Sequence, residues 1–458
     1  MGLFIACHSS SRVRRLRWFA AAIGFFSALI ALTTPSACAS SRQWEPLLLR
    51  GYQLPQLLNT PVSRIEVLAV HGGKLNPIPF QVDSVLVGGI FGLPQGPIPT
   101  TGGPIQGFGP NDEMSMMMFD LGERIANPAE LPPSAVEITV ADPLGGADRY
   151  AYAAVVKNPR LSPVRYVDYD PQHHIIRGGH YRLSLAHEFP DDFRVQDDRG
   201  ESSRNLISAF ELRGVVTVLN LLRFHLKEDD IDGSMLAYRA GPVRVIRRVG
   251  YRFRVFLGIY SPQISAVEFF YSDFAQVPFT MRMPMRNLFR DIQGRIAMDF
   301  VDLRGYSLLS SGLKRPIEIG EHTADTIGAT TPADWLALVG DGHLMLEIFA
   351  PSSELGLIAR RLYYRAEPPA PGANSQSAPI AAAVGIETDG WQRLSGGSHR
   401  FDPLLISVPE SYGVDHAIAE TSIAPVVTVR TVGERNLPPA AARSGSTVAP
   451  APLSESGK

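Results

Sequence analysis

The sequence predicts an all-β protein built from antiparallel β-sandwiches, with two packed β units and very little helix. Three observations carry this. Short β-branched and aromatic runs recur along the chain, Gly, Pro, Asn and Asp punctuate them, and helical periodicity is nearly absent. With 41 Gly and 37 Pro among 458 residues, turns are frequent, and 45% hydrophobic residues supply a sizeable core. Many short strands at fairly regular intervals suit sandwiches better than a parallel α/β sheet.

Taken in order, the expected strands begin at residues 64–70 (RIEVLAV), 79–87, 135–140, 150–156 and 215–226. They continue at 243–256, 267–271, 295–300, 343–349 and 404–408. Helix candidates are confined to 333–339 and parts of 201–210, both short. Residues 88–110 form a long Gly/Pro-rich loop, of a length uncommon unless the loop is functional or mobile. The division that follows is a first β unit over 40–160, a main sandwich over 161–366 and a flexible linker or loop at 367–380. Closing strands of the sandwich at 381–435 and a disordered Pro/Ala/Ser-rich tail at 436–458 complete it.

Residues 1–39 read as a signal peptide. RVRRLR at 12–17 precedes an apolar run at 18–32, and Ala37-Cys38-Ala39 matches the small-x-small pattern of a cleavage site. An uncleaved anchor and lipidation at Cys38 are the rival readings, although Pro35-Ser36-Ala37 lacks the aliphatic residue that lipidation favours. Cleavage after Ala39 removes Cys7 and Cys38, the only cysteines. That excludes disulfides, zinc-thiolate sites and cysteine nucleophiles from the mature chain. The expected location is extracytoplasmic: periplasmic, outer-membrane-associated or secreted, with no transmembrane segment after cleavage. The formal charge of −2 gives no global field toward nucleic acid.

In GPNDEMSMMMFDLGERI (109–125), alternation puts apolar side chains on both faces, which predicts a strand buried on both sides. Met114, Met116 and Met118, with Met281, Met283 and Met285, offer thioethers for Cu(I); core packing is the alternative. Asp83, Asp112, Glu113 and Asp120 offer oxygen ligands for Ca²⁺ or a carboxylate pair, against ordinary turn chemistry at Asn111-Asp112. EDDIDG (228–233) starts like a calcium loop, but Arg239 stands where its closing Glu belongs, so it reads as a charged hairpin turn. His173, His174, His180 and His187 cluster without a zinc-protease spacing.

In VRVIRRVGYRFRVF (243–256), one face is apolar except for Arg247, and Arg244, Arg248, Arg252 and Arg254 share the other. Such a row suits carboxylates or sulfates, and hence an anionic glycan or envelope lipid. The alternative is a face paired with acids on a neighbouring strand, with Glu268 and Asp273 as partners.

PIPFQVD (77–83) followed by Asn111-Asp112-Glu113 resembles the opening of uncharacterised secreted β-sandwich proteins. AGPVRVIRRVGYRF (240–253) resembles a strand of galactose-mutarotase-like super-sandwich domains. The resemblance implies carbohydrate association. A catalytic reading requires a carboxylate and a histidine in one cleft, from Asp112, Glu113, His180, His225 and Glu268. The expected function is an exported module binding a carbohydrate or anionic envelope component. A carbohydrate-active enzyme, a structural partner in an envelope complex and Met-based copper handling are the alternatives.

Overall fold

The computed structural model describes residues 42, 44–101, 107–196, 203–218, 222–256, 259–260, 263–283, 289–320, 331–351, 356, 358–366, 379–394 and 397–432. The signal reading at 1–39, the tail at 436–458 and most of the 367–380 linker lie outside these residues. The strands form five antiparallel sheets, as the sequence predicts.

The first layer is a five-stranded sheet in the order Val426–Thr431, Val136–Ala141, Arg149–Val155, Ile65–His71, Lys74–Pro77. It packs on a three-stranded sheet whose centre is Glu113–Met117, between Pro46–Arg50 and Gln81–Asp83. Leu47, Leu49, Val82, Met114 and Met116 from the small sheet meet Ile65, Val67, Ile138 and Ala151 from the larger. Every residue of Glu113–Met117 is buried, so the both-faces reading of the methionine run holds.

The main body is an eleven-stranded sheet. It runs from Ile231–Ala240 and Val245–Phe256 through Ile264–Phe270, Gly397–Pro409, His343–Pro351 and Trp335–Gly340 to the edge strand Ile317–Glu318. One face packs on a second five-stranded sheet, in which Phe289–Phe300 lies between Ile207–Val218 and Ala382–Asp389. A four-stranded sheet formed by Asp168–Asp170, Ile175–Arg177, Tyr181–Ala186 and Phe189–Val195 joins the same core. On the other face Trp44, Leu93, Met117, Ile246, Tyr271, Leu344, Ile406 and Ala417 form a separate core. Burial on both faces is why Trp335–Gly340 and His343–Pro351 read as near-continuous apolar runs.

Several expectations are corrected. Both helix candidates are strands, Trp335–Gly340 and Ile207–Val218, while Val414–Ser422 is the α-helix among the described residues. Within 215–226, residues 215–218 and 222–226 are two antiparallel strands paired with each other in place of one strand. EDDIDG is a 3₁₀ turn, Glu228–Asp230, joining strands of two different sheets. The late strands do not all close the main sandwich, because Val426–Thr431 pairs with Val136–Ala141 in the first layer, register Val426 to Ala141. The long loop is anchored: Leu93 and Phe108 are buried, and Gln95 bridges to Tyr238. No helix among the described residues is long and apolar enough to cross a membrane.

Candidate binding cleft

The guanidinium row does not form one surface. Arg244 is 1% exposed, with Nε donating to Asp83 at 2.8 Å and Nη2 2.7 Å from both Asp83 and Glu113. Its Nη1 donates to the Tyr271 hydroxyl at 3.0 Å. The three-stranded sheet covers this end of the Val245–Phe256 strand and supplies both acids, so Arg244 is removed from ligand contact. Arg239 also donates to Asp83, at 2.6 Å, and Arg50 lies 2.9 Å from Glu113. Asp83 and Glu113 therefore hold guanidiniums where a Ca²⁺ reading needs an ion. Arg248 donates to the Ile98 carbonyl at 2.7 Å, Arg252 is exposed, and Arg254 pairs with Asp230 at 3.0 Å.

Arg247, the interruption of the apolar face, is fully buried between Glu188 and Glu268. Glu268 faces it in register from the next strand, as cross-strand pairing requires. Burial pushes the Glu268 carboxyl up to about 7, with Arg247 opposing the shift and Glu188 adding to it. His174 Nδ1 lies 3.2 Å from Glu188, and His174, His187 and Glu188 all adopt left-handed backbone, φ 52°, 50° and 66°.

The other candidates are scattered. Asp112 accepts from the Gly109 and Val85 amides at 2.7 and 3.0 Å, which is the turn reading. Asp120 accepts from the Tyr166 hydroxyl at 2.5 Å, and burial raises its carboxyl to about 6. His180 Nδ1 is 2.6 Å from Asp273, and His225 is exposed on a strand. Asp112 and Glu113 are thus engaged by backbone amides and guanidiniums, with no histidine among these contacts, so the catalytic pairing is not assembled. Among the described residues no three His, Cys, Asp or Glu side chains converge as a metal set. Met114, Met116 and Met117 are fully buried and Met118 is 2% exposed, which removes them from surface copper handling. Of the second methionine set, the side chains of Met281 and Met283, and Met285 altogether, lie outside the described residues.

A cleft opens elsewhere, and its origin is a change of partners. Strands Ile65–His71 and Arg149–Val155 pair only as far as Leu68 and Tyr152. Beyond that point Gly122 and Glu123 wedge between them. The Gly122 amide donates to Tyr150 O at 3.0 Å and the Glu123 amide to Val70 O at 2.9 Å. Only glycine fits here, since a Cβ on Gly122 would stand 2.0 Å from Val70 O. The splayed ends enclose about 340 Å³, lined by Val70, Met118, Phe119, Leu121 and Val140 below and by His71, Glu123, Asp142, Asp148 and Arg149 around the rim.

The 142–148 turn forms one wall. Gly145 and Gly146 take positive φ, 117° and 103°, and Asp142 caps the Leu144 amide at 3.0 Å. Arg42 fixes it by bidentate bonds to Asp142, both 2.9 Å, and by a further bond to Ile423 O at 2.6 Å. With Arg42 engaged by Asp142 and Glu45, its charge is internally compensated. Glu123, Asp148 and Arg149 form no ion pair among the described residues, and His71 Nε2 lies 2.9 Å from Asp120 O. Glu123, Asp148 hydrogen-bonded to Tyr150, the Arg149 guanidinium and an imidazole thus surround an apolar floor. Sequence reasoning missed this set; its signal was the Gly-Gly turn between acids in ADPLGGADR (141–149).

No family model matches the chain, and no curated protein matches it. Among solved structures it is similar to an alpha-mannosidase from Enterococcus faecalis V583, with TM-score 0.46 and 8% identity over 86% of this chain and 45% of that one. It is similar also to a glycosyl hydrolase family 38 protein from Enterococcus faecalis, with TM-score 0.45 and 8% identity over 86% of this chain and 46% of that one. The chain spans less than half the length of these structures. Likeness at this level assigns neither a site nor an activity.

Proposed function

We propose that the protein is an exported β-sandwich module that binds a neutral, hydroxyl-rich carbohydrate in the cleft between Val70, Phe119, Gly122 and the 142–148 turn. The observation that carries the reading is the placing of Glu123, Asp148 and Arg149, none of them in an ion pair among the described residues, around an apolar floor. A sugar ring has that same division: C–H faces suit the floor, and hydroxyls suit carboxylate acceptors and guanidinium donors. Glu123 and Asp148 against Arg149 leave the rim an acidic excess, which disfavours an anionic glycan. The anionic branch also loses Arg244 from its proposed contacts.

The test is titration by calorimetry or NMR against neutral oligosaccharides of mannose, glucose, galactose and N-acetylglucosamine, with uronate oligosaccharides in parallel. Glu123→Ala and Asp148→Ala, both at exposed positions, are each expected to weaken neutral-sugar binding about tenfold, roughly 1.4 kcal/mol, without loss of fold. Preference for uronates, or binding indifferent to both substitutions, would sink the reading.

A further inference from the structure

From Ser84 to Asn111 the chain contains no Asp, Glu, Lys, Arg or His, although 19% of the whole chain is charged. A long solvated loop ordinarily carries charge, so this segment is unusual for one. Its base is fixed. Phe91 packs edge-on against Phe269 with ring centroids 5.2 Å apart, Gly92 and Leu93 are buried, and Arg244 lies over the Phe91 ring at 5.4 Å. Its tip is a tight reversal in which the Leu86 amide donates to Ile90 O at 2.8 Å and the Gly89 amide to Leu86 O at 3.1 Å. Gly88 and Gly89 supply the positive φ, 83° and 78°, that this turn needs.

The reversal holds aliphatic side chains out from the body. Val87 is 94% exposed, Ile90 39%, Leu86 36% and, farther along the loop, Ile98 55%. Exposed apolar groups gathered in this way mark an interaction surface. We propose that this hairpin tip, with Ile98, seats in the interfacial region of a lipid bilayer.

Three features select a bilayer over a protein partner. Val87 at the tip is 94% exposed, and a protein interface would set charged residues around its apolar centre, of which the segment from Ser84 to Asn111 carries none. Part of the loop's backbone donors are absent or used: Pro94, Pro97 and Pro99 have no N–H, the Leu86 and Gly89 amides bond within the tip, and the Ile98 amide donates to Leu236 O at 2.7 Å. A guanidinium, Arg248, donates to the Ile98 carbonyl, so a cation accompanies the exposed Ile98 and can meet a lipid headgroup phosphate.

The experiment is sedimentation of the protein with vesicles at high lipid concentration. The vesicles are phosphatidylcholine alone and phosphatidylcholine mixed with phosphatidylglycerol, each at low and high salt. Four aliphatic side chains anchor modestly, so the expected result is partial binding to phosphatidylcholine alone that persists in high salt, because the inserting segment is uncharged. Val87→Asp is expected to reduce the bound fraction at least about tenfold. Val426→Asp, at another exposed aliphatic position, leaves it unchanged. Val87 is so exposed that its replacement leaves the circular dichroism spectrum as it was. In Val87→Trp, quenching by brominated lipid reports insertion of the tip itself.

Three results would overturn the proposal. One is an absence of wild-type binding to either vesicle; another is binding confined to phosphatidylglycerol and lost in salt. The third is a Val87→Asp protein that binds like wild type. Self-association abolished by Val87→Asp, without vesicle binding, would assign the tip to a second copy of this chain and equally overturn it. Sugar titrations of the same variants keep this outcome separate from the fate of the cleft reading.

Discussion

Arg244→Ala is expected to destabilise the fold by about 3–5 kcal/mol, the cost of leaving buried carboxylates without their cation. Asp83 and Glu113 sit under the same guanidinium, at 0% and 5% exposure. Arg239 and Arg50 remain beside them at the rim, at 23% and 34% side-chain exposure, and recover part of the loss. The measurement is the urea midpoint by circular dichroism. Arg244→Lys should rescue little, because one ammonium cannot serve Asp83, Glu113 and the Tyr271 hydroxyl from a planar fork. If the charge is what matters, Arg244→Met combined with Asp83→Asn and Glu113→Gln should be more stable than Arg244→Met alone. Equal midpoints for the two would show that lost packing, and not stranded charge, is the cause. The cluster fastens the three-stranded sheet to the eleven-stranded one, so partial unfolding of residues 46–117 is the expected failure, visible as early loss of amide protection there.

A second large effect is expected in the pH dependence of stability, and Glu268 is one of its sources, beside Glu45 and Glu347. Burial raises the Glu268 carboxyl from 4.5 to about 7, so between those values the folded protein holds a proton that the unfolded chain has released. Its stabilising contribution is therefore complete below about pH 4.5 and is lost as pH rises through about 7. At about 1.4 kcal/mol per unit this is on the order of 3 kcal/mol. Glu268→Gln keeps the shape of the neutral form and should flatten the profile between pH 5 and 8 by much of that amount. Denaturation curves at a series of pH values decide the matter; a slope unchanged in Glu268→Gln would move its source to Glu45 and Glu347, whose carboxyls burial also raises to about 7, and then to Asp120 at about 6.

Local pattern carried the strands well, because alternation and turn residues report each strand's own burial. Glu113–Met117 and Val245–Phe256 were readable for that reason, but Glu268 and Asp273, expected opposite the Arg244, Arg248, Arg252 and Arg254 face, pair with Arg247 on the other face and with His180. Pattern does not report what covers a face. Arg244 looked solvent-facing because Asp83, its cover, is 161 residues away in sequence. Short apolar runs are ambiguous between helix and buried strand, which is how Trp335–Gly340 was misread. The nine-residue helix Val414–Ser422 hid among strand-like text for the same reason. The cleft was illegible at the level of residues, since it arises where pairing stops at Leu68 and Tyr152 and a distant Gly-Glu pair intervenes.

The return of Val426–Thr431 to the edge of the first sheet has a consequence in time. Its partner, Val136–Ala141, leaves the ribosome almost three hundred residues earlier, and until the late strand is made that edge has backbone groups with nothing to pair. Closing so large a loop is slow, and a half-finished sheet edge invites association with other chains. Folding of the first layer is therefore expected to be post-translational, and a chain truncated before Val426 should accumulate as aggregate even though every other strand of that layer is present.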